Sequence, residues 1–386
     1  MLLMKTSCHQ TRIKGGAMQY RPKASMIPIV VLCLSAVPLL LTGSEKTQIR
    51  TPAPTVLSSE AVNVPQTRQA PSSFIVSPLD LNALTNDADA IVIGRVRSVE
   101  ARGRANREVA GRTIEVQPKI ANLAINRVIK GDIPTPELKF EFPILEHSLV
   151  YGDIELSRLA MYFLRKNEDG SYAVLNPNYP FLGVASDSIL PEADALDRVV
   201  AVIGSPLKEP KSSLAERRLA VHLLRSGETE SATAILRLAA KDSDPVVRLQ
   251  ALSALTARND ISMLKTVEDT LLHPKPGIED YLLRNLSAAL EGIKEPQAVS
   301  ALNRLLRSSN VNVRLGAARA LRRLHVSDAI DGLVLALEDS NREIRYEGVI
   351  GLAEQTGQLD WAPAIDTFWN DEQYYLQHWK AWAKSR

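Results

Sequence analysis

The chain has almost no cysteine, little histidine and tryptophan at one end only, and each shortage excludes something. Its two cysteines, Cys8 and Cys33, both precede Glu45, so everything beyond is free of thiol and its stability cannot rest on disulfides. The histidines beyond that point, His147, His222, His273, His325 and His378, are scattered, and none forms the close pair of a zinc-binding helix. There is no G-x-S-x-G and no phosphate-binding P-loop. Ser262-Met263-Leu264-Lys265 matches the Ser-x-x-Lys form of penicillin-recognising enzymes, but its companion motifs are missing. The chain therefore reads as non-enzymatic, with no catalytic residue, metal or cofactor assigned.

Acidic residues are absent before Glu45, while Lys5, Arg12, Lys14, Arg21 and Lys23 are basic and Met26–Leu41 is almost wholly apolar. A basic segment followed by an apolar one is the grammar of export. The apolar stretch is interrupted by Pro28 and Pro38; it is long for a signal and marginal for a span, which needs roughly 17–25 residues. Residues 1–44 are read as a signal peptide or a membrane anchor, with Met18 and Met26 as alternative starts. Val30-Val31-Leu32 before Cys33 lacks the small residues of a lipoprotein signal. The formal charge of +2 belongs to this leader, whose five cations leave the remainder acidic by three charges. That balance argues against general affinity for nucleic acid or anionic membrane. The protein is expected to be exported: periplasmic, secreted or anchored at its N-terminus.

Residues 45–73 are rich in Pro, Ser, Thr and Gln without hydrophobic period, and read as a disordered linker. From Phe74 the pattern alternates. Ala90–Val99 reads as a strand buried on both faces at its start and exposed on one later, and further strands are expected at 120–129, 137–142, 159–165 and 172–175. Asp169-Gly170 joins the last two as a tight turn. Residues 74–190 are thus expected to form a small antiparallel β-barrel or sandwich. The segments Ala88–Val96, Val128–Asp132 and Met161–Arg165 resemble the OB-like netrin/tissue-inhibitor barrels of bacterial exported proteins. That inhibitor family reaches a protease zinc through an N-terminal cysteine, which is lacking here, so the resemblance does not imply protease inhibition.

Residues 191–211 read as a helix and hinge, the helix running from Pro191 to Ile203 and the hinge over 205–210. Beyond them a repeat appears. Arg217, Arg248, Arg314 and Arg345 are each followed three residues on by a small residue (Ala220, Ala251, Ala317, Gly348) and seven on by a leucine. Such a period marks stacked units that bury apolar faces only against each other. Asp244–Leu255 and Asn310–Leu321 resemble HEAT repeats of the short bacterial and bilin-lyase-like kind, which implies an all-α solenoid over 212–386. Leu283 breaks the pattern, and His273-Pro274-Lys275-Pro276-Gly277 supplies a longer connection there.

Three sets of side chains are candidates for recognition. The repeated arginines form either a structural ladder or an anion-binding row, and recurrence within the consensus favours the ladder. Residues 301–325 hold Arg304, Arg307, Arg314, Arg319, Arg322 and Arg323 with no acid; Asp328, Asp331, Glu338, Asp339, Glu343 and Glu347 follow and offer compensation. All four tryptophans lie at or beyond Trp361, with Tyr375, Trp379 and Trp382 on one helical face, which suits a terminal cap or an aromatic groove. Together these features imply an exported, non-catalytic scaffold that binds another protein and no nucleic acid, and that meets a membrane only through its N-terminus. The alternatives are a bilin-lyase-like enzyme or chaperone, and an envelope inhibitor built on the barrel.

Overall fold

A computed structural model of the chain describes residues 79–109, 112–145, 156–176, 179–185 and 193–386. The leader at 1–44, the linker at 45–73, Pro191 and His147 lie outside them. The barrel part contains α1 (Leu81–Asp87), β1 (Ala90–Ala101), β2 (Ala105–Val109), β3 (Arg112–Lys130), β4 (Glu137–Leu145), β5 (Leu159–Lys166), β6 (Tyr172–Val174) and β7 (Leu182–Gly183). Its sheet runs β1-β3-β4-β6-β5, and β5 pairs back onto β1, so five strands close into a barrel. Every pairing is antiparallel except β4 with β6.

The apolar start of β1 explains how the barrel is placed. Ala90, Val92 and Val96 face inward with Phe140, Phe142, Tyr162 and Leu164, whereas Ile91 and Ile93 face outward into a second core shared with α1 and the helices beyond. Gly94 sits at a register shift, where a Cβ would stand 2.3 Å from the Ala124 carbonyl oxygen. The Asp169-Gly170 turn forms as read, with Gly170 at φ +81°. α1 and β2 are not among the elements expected from the sequence pattern. Asp80 caps α1 by accepting from the Ala83 amide at 2.9 Å, and Lys130 donates to the Thr85 and Asn86 carbonyls at 2.8 Å each. A seven-residue helix is too short to display a period.

The remaining helices form six pairs: α2 (Ala195–Lys208) with α3 (Leu214–Leu224), α4 (Glu230–Ala239) with α5 (Pro245–Ala257), α6 (Leu264–Leu272) with α7 (Asp280–Ala289), α8 (Val299–Leu305) with α9 (Val311–Leu324), α10 (Ile330–Ala336) with α11 (Arg342–Thr356), and α12 (Ile365–Asn370) with α13 (Glu372–Ser385). The second helices stack on one another from α3 to α11. Their starts are fixed locally. Asp244 accepts from the Val247 amide at 3.0 Å with Pro245 at the first position, and Asn310 and Asn341 cap α9 and α11 in the same manner. Gly316 lets α9 approach α7 closely, since a Cβ there would lie 2.2 Å from the Ser287 carbonyl oxygen.

Residues 205–208 of the expected hinge are helical. α2 continues through Gly204 and Pro206 to Lys208, and packs on both α3 and α4 as the first helix of the first pair. Proline denies Val202 its usual amide partner, but the Ser205 hydroxyl donates to that carbonyl at 2.9 Å. The segment set apart as 191–211 therefore belongs largely to the stack. One apolar core runs from Leu81 and Ile91 through Val200 and the repeat leucines to Trp379.

Candidate functional site

The repeated arginines sit in the first turn of the second helices, where they can fold back over the preceding loop. Arg314 Nη1 donates to the Ser308 and Ser309 carbonyls at 3.0 and 3.2 Å, and Arg345 Nη1 to those of Asp339 and Ser340 at 2.8 and 3.0 Å. Arg217 bonds Ser212 at 3.1 Å, and Arg248 bonds Asp242 and Ser243 at 2.7 and 3.1 Å. The opposite edge of the guanidinium reaches an acid in the next unit. Arg314 Nε donates to Asp339 at 2.7 Å and Arg345 Nε to Glu372 at 2.6 Å, while Arg217 Nε lies 2.9 Å from Asp242. Burial works to raise the Glu372 carboxyl, but hydrogen bonds and charge from Arg345 and Arg342 bring it below the usual carboxylate range. At Arg217, Arg314 and Arg345 these contacts form a ladder that ties one loop to the next.

The basic block is compensated from both sides. Arg304 forks onto Glu268, whose side chain is nearly sealed, with Nη2 donating at 3.0 Å. That hydrogen bond holds the Glu268 carboxyl low despite its burial. Arg319 bridges Glu291 and Glu347 at 3.2 Å each, Arg322 donates to Glu354 at 2.8 Å and Glu347 at 3.1 Å, and Arg323 meets Glu291 at 2.9 Å. Arg307 is exposed, with no ion pair among the described residues. Of the acids expected to compensate, Glu347 meets the block and Asp339 takes Arg314, while Glu338 and Asp331 pair with Lys380 and Arg386 at the C-terminal end. Sequence reasoning missed Glu268, Glu291 and Glu354. The signal was a separation near one repeat period: 28 residues for Arg319 with Glu291 and 32 for Arg322 with Glu354.

The aromatic end is mostly packed. Trp379 is fully buried, and Tyr375 and Trp382 are half-buried against the same core. Trp382 meets Trp379 edge-on at 5.5 Å, and the Trp361 ring stacks on His378 at 3.5 Å. Burial lowers the His378 imidazole. Trp369 and Tyr374 remain exposed and border a shallow cavity with Arg342, whose guanidinium carbon lies 5.7 Å from the Trp369 ring centre.

Among the described residues no group of three or more His, Cys, Asp or Glu is placed to hold a metal ion, and no helix is long and apolar enough to cross a membrane. Residues 279–353 match the family model for HEAT repeats. That segment contains the Arg314 and Arg345 rungs and all of the basic block. No curated protein matches the chain. Among solved structures, the X-ray structure of the Escherichia coli protein YibA is similar over 42% of this chain and 63% of its own, at 20% identity and a TM-score of 0.30. This chain thus spans less than two-thirds of that structure's length, and the likeness is too low to bear on function.

Proposed function

We propose that this protein is an exported, non-catalytic scaffold that holds another protein on its helical stack. The observation that carries the reading is the HEAT match over 279–353 on regularly paired, stacked helices. Stacks of this kind present extended surfaces for partners and need no chemistry of their own. The ladder and the compensated block support it further, because most of the cationic side chains there serve neighbouring units. The leader read at 1–44 would carry the protein to the envelope or outside, as a cleaved signal or a retained anchor.

Cross-linking in native envelopes, followed by affinity capture and mass spectrometry, tests the proposal. A partner in stoichiometric amount, with cross-links on residues 245–356, is expected. Cross-links confined to the barrel, or none at all, would reject it. N-terminal sequencing of the native protein tests export, and soluble cytosolic protein beginning at or before Met26 would reject that part.

A further inference from the structure

The ladder has one rung that lacks its acid, and a cavity lies beside it. Asp242 follows Arg217, and Asp339 follows Arg314, by 25 residues. The residue at the same offset from Arg248 is His273. Arg248 keeps the loop-carbonyl half of the motif through Nη1, but its Nε and Nη2 have no protein partner among the described residues. At Leu283, where the arginine itself is lost, the acid position holds Ser308, so both halves disappear together. At Arg248 the cation stays and only the acid is gone.

Arg248 lines a cavity of about 390 Å³ walled by Leu249 and Ile278 and rimmed by His273 and Lys275. Asp269, the acid in that lining, is already paired with Lys265 at 2.9 Å. An unshared guanidinium edge is a fork matched to a carboxylate. The chain itself shows what fills such an edge elsewhere. In Asp242-Ser243-Asp244 and Asp339-Ser340-Asn341 the leading aspartate accepts from the amide two residues on, at 2.8 and 2.7 Å, and turns its carboxylate to the arginine.

Resting on the scaffold reading, we propose that the open rung at Arg248 is a docking site for an aspartate-bearing turn of a partner protein. The partner's carboxylate takes the place that Asp242 and Asp339 occupy on their rungs. Lys275 adds a second positive charge, and Leu249 and Ile278 give the residues beside the aspartate an apolar wall.

The probe is a peptide copied from the chain's own turn, acetyl-Asp-Ser-Asp-Pro-Val-Val-amide, titrated calorimetrically into the full chain. Saturable binding is expected, with at least a tenfold loss when the leading aspartate is replaced by asparagine. His273→Asp restores the internal acid, so it should weaken the peptide at least tenfold and raise the melting midpoint. Arg248→Met should weaken the peptide equally; if that variant fails to fold, His273→Asp decides. No saturable binding, or binding unchanged by His273→Asp, overturns the proposal. Partner capture that survives His273→Asp overturns the rung as the docking point and leaves the scaffold standing. Intact, rung-dependent peptide binding with no cross-linked partner supports the rung and rejects the scaffold.

Discussion

Replacing Trp379 with alanine removes the largest side chain sealed at the C-terminal end of the stack. A tryptophan buries up to about 250 Å², which at about 25 cal/mol per Å² sets an upper bound of roughly 6 kcal/mol. Truncation of a buried tryptophan in a core typically costs about 3–5 kcal/mol. Here the loss falls on α12 and α13, which pack against α10 and α11, so it should appear as fraying of these helices before it reaches the centre. The chain supplies its own reporter: all four tryptophans lie in this last stretch, and Trp361, Trp369 and Trp382 survive the substitution. Tryptophan fluorescence then follows the end of the stack, while far-ultraviolet circular dichroism follows every helix. In Trp379→Ala the fluorescence transition should precede the circular dichroism transition, and hydrogen exchange should accelerate in α13, then α11, with α5 unaffected. Coincident transitions at the wild-type midpoint would refute the sealing role.

Two further outcomes follow from the same geometry. Alanine at Gly316 gains up to about 1 kcal/mol in helix propensity, but its Cβ would meet the Ser287 carbonyl oxygen at 2.2 Å, and overpacking of this kind costs about 1–3 kcal/mol. Gly316→Ala should therefore melt earlier than wild type, and an equal or higher midpoint would show that α9 and α7 can separate freely. Acid should destabilise the fold in two stages. Burial lowers His222 and His378, so their cost begins as pH falls below the unfolded imidazole value of about 6.5. Glu268 and Glu372 are held low in the fold, so their stabilisation is full above the unfolded carboxyl value of about 4.3 and is lost as pH falls through the folded values. Melting midpoints measured across this range should show both declines, with the lower one reduced in Glu268→Gln; a single decline unaltered by that substitution would contradict the assignment.

Much of the architecture is legible in short stretches of chain. Apolar residues at every position of Ala90–Ile93 announce a strand buried on both faces. Asp244-Pro245 and Asn310 mark helix starts, because caps act within one turn, and the leucines recurring from Leu224 to Leu352 give the period of the stack. Even the break at Leu283 is visible. Tertiary structure decided which partners those residues find. The closure of β5 onto β1 and the parallel contact of β4 with β6 depend on strands separated by long stretches of chain, and α2 joins the stack because Ser205 and a continuous core outweigh a proline and a glycine. Arg319 meets Glu291 and Glu347, and Arg322 meets Glu354, through the offset between stacked units, which composition does not encode. The same offset falls on His273, which lines the cavity beside Arg248. Local sequence dictates what each segment can bury and how it begins, whereas the pairing of charges across 25 to 36 residues follows from how one unit settles on the next.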